Sequence, residues 1–163
     1  MPAIEIKIFT TGGSIDKLYS TRASNFMVGD PQIGSVLQES RVPVAFEIEP
    51  LFQKDSLEIT EADRLTIFLK VQADPHRHII ITHGTDTMIL TGKMLCEIPG
   101  KVIVLTGAMQ PAAFKVTDAA FNIGSAIIAA QTLSEGVYIV MNGQVFDPFH
   151  VRKNLELNQF ELI

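Results

Sequence analysis

The sequence contains a single cysteine, Cys96, no cluster of lysines and arginines, and no long apolar run. One cysteine cannot close an internal disulfide, and its apolar, helix-patterned surroundings predict a buried structural thiol, not a nucleophile. A membrane span needs roughly 20 consecutive apolar residues, which excludes one here. The opening "MPAIEIKIFT" alternates and carries charge, so it reads as a strand and not as a secretory signal. With 13 Lys and Arg against 18 Asp and Glu, the formal net charge is -5. Nucleic-acid binding requires a basic stripe that displaces counterions from phosphates, so that class of partner is excluded. Repeats, low-complexity tracts and linkers are also missing. Together these absences predict a cytoplasmic protein with neither a membrane nor a nucleic-acid partner.

What is present is apolar content: 47% of 163 residues is enough for one sizeable core, and residues 1–163 are expected to form one domain. Residues 3–10 read as a strand, and 12–30 as a long polar loop of the kind that often carries function. Asp30 and Pro31 can open a helix through Ser40 as N-cap and first helical residue, and "VPVAFEIEP" alternates as a strand. Thr60 and Asp63 have the spacing of a capping box, with Leu65, Phe68, Leu69 and Gln72 following at helical intervals. The buried strands "RHIIITHG", "KVIVLTGAM" and "GVYIVMN" then alternate with the helices "TMILTGKMLCEI" and "TDAAFNIGSAIIAAQTL", before an irregular tail over residues 143–163. Apolar strands alternating with helices predict an α/β fold, a doubly wound and mostly parallel sheet with helices on both faces, of Rossmann or flavodoxin type.

In such sheets ligands bind beyond the carboxyl ends of the strands. Three strands end in polar glycine turns, "TTGGS", "THGTDT" and "LTGAMQP", which should share one crevice containing Thr10, Thr11, Ser14, Thr82, His83, Thr85, Asp86, Thr87 and Thr106. The crevice has no nucleophile elbow. "TTGGSIDK" fits neither the phosphate-binding P-loop nor the dinucleotide fingerprint, so no nucleotide cofactor is expected. A threonine can transfer acyl groups if a base removes its proton and backbone donors hold the oxyanion; the pair Gly12 and Gly13 could expose such N–H groups. By their position alone, Thr85 and Asp86 read as the cap and first-turn acid of the next helix rather than as catalytic groups, and Lys153 as a solvated lysine. His76 and His78 flank Arg77, while His83 and His150 lie far apart. No carboxylate or cysteine pattern completes a ligand set, so no metal is expected, and His83 reads as a residue that orients the "GTDT" turn.

"TTGGSI" and "THGTDTM", in this order and at this separation, resemble the two signatures of the bacterial-type L-asparaginase and glutaminase family. "VLTGAMQP" is similar to that family's V-x-x-G-A-M-R-P segment, "TDAAFNIGSAI" to its D-G-x-x-N-L helix, and "PLFQKDSLEIT" to its D-S-S-x-M-T segment. The resemblance covers the whole chain as the family's N-terminal domain, with the smaller C-terminal domain absent. It implies a cofactor-free enzyme in which Thr11 attacks the substrate amide, Thr85, Asp86 and Lys153 form a second cluster, and Lys153 polarises or deprotonates Thr85. Asp86 would also meet the substrate's α-ammonium and Ser56 its α-carboxylate. Asp55 would be a supporting acid or a turn residue, and Ala108 would offer its backbone carbonyl to the leaving amide.

The chain departs from the family pattern at several places. Phe26 stands where the family has a loop tyrosine, leaving Tyr19 as the candidate phenol. Ser14 replaces a threonine and Gln110 an arginine. The missing domain would supply an acid from a neighbouring subunit, so Asp86 alone, Glu58 or a partner residue must bind the ammonium. The expected activity is therefore L-asparagine hydrolysis, with L-glutamine as a second substrate, in a homo-oligomer. The helix containing "FNIGSAIIAA" is either the surface that meets another copy or a sheet-packing helix. A non-catalytic amino-acid-binding or regulatory domain, and an ammonia-supplying amidotransferase subunit, are the other functions compatible with these residues.

Overall fold

The computed structural model describes residues 3–163. Five parallel strands form the centre of the sheet: β1 (Glu5–Gly12), β4 (Ala45–Lys54), β5 (His78–Thr82), β6 (Val102–Thr106) and β7 (Gly136–Met141), with β8 (Gln144–Phe146) added antiparallel. Their order across the sheet is β4-β1-β5-β6-β7-β8. β1, β5 and β6 are buried on both faces, which is why β5 and β6 read as continuous apolar runs, while β1 interleaves Lys7 with Ile6 and Ile8. Helices α1 (Ile33–Glu39) and α4 (Ala119–Thr132) cover one face, around Ile8, Ile80, Val104 and Ile123. Helices α2 (Glu61–Ala73) and α3 (Met88–Leu95) cover the other, around Phe9, Ile81, Leu105 and Ile67. The doubly wound α/β architecture expected from the sequence is the one observed, in a single domain.

Several local expectations are corrected. The polar stretch after β1 is not a loop but a hairpin, β2 (Lys17–Ser20) paired antiparallel with β3 (Asn25–Val28). The tail is likewise ordered: β8 leaves β7 through Asn142 and Gly143, both at positive φ, and β9 (Val151–Asn154) pairs with β10 (Gln159–Leu162). Positive φ at two successive turn residues is the signature of a tight hairpin turn, and Asn-Gly is its favoured sequence. On α2 the capping box forms, with Thr60 and Asp63 exchanging hydrogen bonds of 3.1 and 2.9 Å, but Leu65, Leu69 and Gln72 face solvent. The inward stripe is Arg64, Ile67 and Val71. Cys96 ends α3 as an exposed residue, its thiol donating to the Gly92 carbonyl at 3.4 Å.

α1 begins later than its Asp-Pro signal suggests, with Gln32 as N-cap. Asp30 instead accepts from the Gln53 side chain at 3.1 Å. The Gln32 N–H is taken by Asp16, 16 residues upstream, at 2.9 Å. Asp16 also accepts the Gly29 N–H on its backbone carbonyl at 2.9 Å, so one residue fastens both ends of the β2–β3 hairpin to the start of α1.

The Asp16 carboxyl is buried, and that desolvation raises its pKa from the ordinary carboxylate value of 3.8 to about 7 against the lowering effect of the Gln32 N–H. A carboxyl that holds its proton more tightly when folded favours the folded state fully below its unfolded pKa, and that favour is lost as pH rises through the folded value. Asp16→Asn keeps the acceptor and removes the ionisation. Thermal unfolding should show the variant matching the parent near pH 4 and exceeding it at pH 8, by on the order of 4 kcal/mol at most.

Candidate active site

β1, β5 and β6 lie side by side with Thr10, Thr82 and Thr106 in register, so the three glycine turns leave the sheet at the same edge. Side chains alternate along a strand. Thr10, Thr82 and Thr106 therefore follow Ile8, Ile80 and Val104 into the core on the α1–α4 side and do not line the crevice. The Thr106 hydroxyl donates to the Val140 carbonyl at 2.8 Å, while those of Thr10 and Thr82 have no partner among the described residues. Thr11 points to the opposite side. It is 1% exposed, and its hydroxyl donates to the Thr82 carbonyl at 2.9 Å.

The turns meet backbone to backbone. A Cβ on Gly13 would lie 2.5 Å from Gly84 Cα, and one on Gly84 would lie 2.5 Å from Ser56 Cβ. A Cβ on Gly107 would lie 2.3 Å from the His83 carbonyl oxygen. Gly12 and Gly13 also have φ of 105° and 88°, a region that side-chain-bearing residues avoid. The expectation that this pair frees its N–H groups is corrected for Gly13, whose N–H donates to the Lys54 carbonyl at 2.9 Å.

Thr85 and Asp86 precede α3, whose N-cap is Thr87, so neither is the cap of that helix. The Thr87 hydroxyl instead donates to the Ser56 carbonyl at 2.7 Å, binding the "THGTDT" turn to the short 3-10 turn Ser56–Glu58. Lys153 arrives from the far end of the chain. Val151, two residues earlier and on the same side of β9, is buried beside Phe146 and the fully buried Phe160 of β10. That anchoring directs the Lys153 ammonium to the Thr85 hydroxyl, at 2.8 Å, and the Asp86 carboxylate, at 2.7 Å. Thr85 is buried and Asp86 partly exposed, so the cluster has one dry and one open side. Lys153 is thus not a solvated lysine.

Ser56 is buried at the start of its turn, and Asp55 is the turn's N-cap, accepting the Leu57 N–H at 3.1 Å. The Lys17 ammonium lies 3.3 Å from the Asp55 carboxylate. Glu58 is exposed and lines a groove of about 280 Å³ with Lys17, Phe26, Val28 and Asp55, a lining that does not include Asp86. Tyr19 opposes Phe26 across the hairpin, and directly opposed residues share a face. The same face carries Lys17 and Val28, and Val28 lies 3.0 Å from where a Cβ on Gly12 would be, so it looks toward the end of β1. Phe26 is held edge-on between Tyr19 and Phe114, at ring separations of 5.4 and 5.2 Å. Tyr19 itself is 57% exposed, and its hydroxyl makes no hydrogen bond among the described residues.

The third turn is held by the Asp and Asn of the "TDAAFNIGSAI" segment, to which the sequence patterns assigned no role at the site. Asp118 accepts the Met109 and Gln110 N–H groups at 2.9 Å each, and Asn122, one helical turn on, donates to Asp118 at 3.0 Å and to the Gly107 carbonyl at 2.9 Å. Their i, i+4 spacing on one helix was the available signal. Ala108, between these anchors, turns its methyl into the core.

Sequence and structure comparisons place the chain among known proteins. Residues 5–160 match the family described as "Asparaginase, N-terminal". L-asparaginase 2 of Escherichia coli is 31% identical over 91% of this chain and 46% of its own length. A glutamyl-tRNA(Gln) amidotransferase subunit of Methanococcus maripaludis is 32% identical over 87% of this chain and 36% of its own. The thermostable L-asparaginase of Thermococcus kodakarensis superposes with a TM-score of 0.85 at 26% identity, over 98% of this chain and 51% of that one. The chain thus spans about half the length, or less, of these relatives. A glycine-built crevice with an ordered Lys153–Thr85–Asp86 cluster, together with a match running through nearly all the described residues, makes the chain a member of the asparaginase family, corresponding to its N-terminal domain.

Proposed function

We propose that the chain hydrolyses the side-chain amide of L-asparagine to L-aspartate and ammonia, with L-glutamine as a second substrate and no cofactor. The observation that carries this reading is the Lys153 ammonium held between Thr85 and Asp86, joining residues 68 and 67 positions apart beside the turn that bears Thr11. A lysine with three donors and a flexible stem would not be fixed on a buried hydroxyl and a carboxylate without structural cause.

In the proposed reaction the Thr11 oxygen adds to the amide carbon. Its proton passes to the amide nitrogen, the C–N bond breaks, and ammonia leaves an acyl-enzyme ester. Tyr19 is the proposed phenol for that proton transfer, on the hairpin face directed at the end of β1. Thr85, polarised by the Lys153 ammonium, then holds a water that adds to the ester carbon; the water's proton passes to the Thr11 oxygen as the acyl C–O bond breaks, which restores Thr11. Ser56 would receive the substrate's α-carboxylate, with Asp55 fixing its turn. Asp86 would bind the α-ammonium, with Glu58 as the alternative acid, and the Ala108 carbonyl would face the leaving amide. A single cysteine without a disulfide fits the proposed cytoplasmic location.

A second reading is favoured by the amidotransferase component among the relatives: the same amide chemistry, with ammonia delivered to a partner protein. A non-catalytic amino-acid-binding domain would retain the α-amino-acid contacts without turnover.

Ammonia release from asparagine and glutamine by the purified chain separates these readings. Thr11→Ala should lower the rate by about a thousandfold or more and Lys153→Met by about a hundredfold, with circular dichroism unchanged. Calorimetric binding of asparagine by the unaltered protein without ammonia release would support the binding domain, and release only in the presence of a partner protein would support the amidotransferase. A chelator should leave the rate unchanged.

The proposed homo-oligomer is supported by α4. Its inner face packs on the sheet through Ile123, Ala126 and Ile127, while Phe121 and Ile128 on its outer face are 62% and 61% exposed beside a groove of about 610 Å³ lined without charged residues. Apolar patches of this kind mark association surfaces. Light scattering should give a mass above that of one chain, and Ile128→Glu should return it to the monomer value.

A further inference from the structure

We infer that His83 is a positioning residue that sets the direction of the Thr85–Asp86 turn through the Gly84 carbonyl, an inference that rests on the amidohydrolase reading above. His83 is 0% exposed and directly precedes the glycine that packs on Ser56. Its own backbone is immobilised, the N–H donating to the Thr106 carbonyl at 2.9 Å and the carbonyl lying against Gly107. The ring has two contacts, Nδ1 with the Gly84 carbonyl and Nε2 with the Thr91 hydroxyl, each at 2.8 Å.

A carbonyl can only accept, so Nδ1 carries the proton. In the neutral ring that full burial favours, Nε2 is then bare and the Thr91 hydroxyl donates to it. The imidazole is therefore a neutral strut between α3 and the Gly84 oxygen. That oxygen belongs to the same planar peptide unit as the Thr85 nitrogen, so fixing it fixes the plane from which Thr85 and Asp86 project toward Lys153. Burial, with the Arg64 guanidinium nearby, lowers the imidazole pKa from 6.5 to about 4, against the Gly84 contact, which raises it. The strut thus stays neutral across the range in which the enzyme would work. A loose catalytic turn costs rate, since misplacement of about 1 Å can cost a hundredfold.

The two ring contacts can be tested separately. In His83→Asn the amide nitrogen can occupy the Nδ1 position and keep the Gly84 contact, whereas in His83→Gln it reaches only the Nε2 position. Thr91→Val removes the other end of the strut. Kinetics and thermal unfolding of all three should show His83→Asn and Thr91→Val retaining kcat within about threefold despite lower Tm. His83→Gln should lose at least about tenfold in kcat at a Tm no lower than that of His83→Asn. Equal losses in the Asn and Gln variants, following Tm, would reduce His83 to a packing residue and overturn the inference. If the unaltered protein releases no ammonia the amidohydrolase reading fails, and His83 is then judged by ¹⁵N NMR of its ring. A single Nδ1-protonated tautomer that does not titrate between about pH 5.5 and 8 supports the strut; an Nε2 proton or a titration in that window overturns it.

Discussion

The close approach of glycine backbones at the carboxyl ends of the strands is the constraint on which the rest of the site depends. Gly13, Gly84 and Gly107 each sit where a Cβ would come within 2.5 Å of another residue's atoms, so the three turns are stacked and not merely adjacent. Such packing brings Thr11, Ser56 and Thr85 into one small volume and pins their loops without long side chains. It also explains why so many polar residues are buried nearby. Their partners are mostly backbone groups, as with Thr11 on Thr82 and Thr87 on Ser56, and satisfied polar groups can be buried at little net cost.

Electrostatics then divide the crevice. Lys153 brings a positive charge to the Thr85–Asp86 side, and Lys17 brings another to the side where Asp55 caps the Ser56 turn. Each ammonium is matched by one carboxylate, so the region carries paired charge although the chain is acidic overall. Partly buried ion pairs of this kind are screened by salt less than exposed ones.

The centre of the fold was legible because its signals are local and strong. The all-apolar runs of β5 and β6 could only be buried parallel strands, and the Thr60–Asp63 capping box formed as read. Weak or long-range signals were lost. β2 and β3 are four residues each with no buried position, leaving no apolar alternation to detect, and the Asn142–Gly143 turn is marked only by its dipeptide. α2 was misoriented because Arg64 fills an inward position with its stem, its guanidinium reaching Glu61 at 2.5 Å. At the site, motif resemblance singled out Thr85, Asp86 and Lys153, which the structure brings together. It could not indicate that Asp118 and Asn122 hold the third turn or that Asp16 ties the hairpin to α1, because those roles depend on which loops touch.

The hairpin of β9 and β10 has a consequence for how the molecule acquires its site. Lys153 is 68 residues from Thr85, and its hairpin is seated through Val151 and Phe160 in the core shared with Ile139 and Met141 of β7 and Phe146 of β8. Contacts between distant residues bear the largest loop-closure entropy and form slowly. The Thr11–Thr82 contact beside the glycine turns spans 71 positions, so stacking of those turns and seating of Lys153 are both long-range events of comparable closure cost. A chain whose sheet is formed but whose β9–β10 hairpin is unseated would lack the cation of the cluster, which makes an ordered Lys153 a marker that the whole domain, and not only its centre, is native.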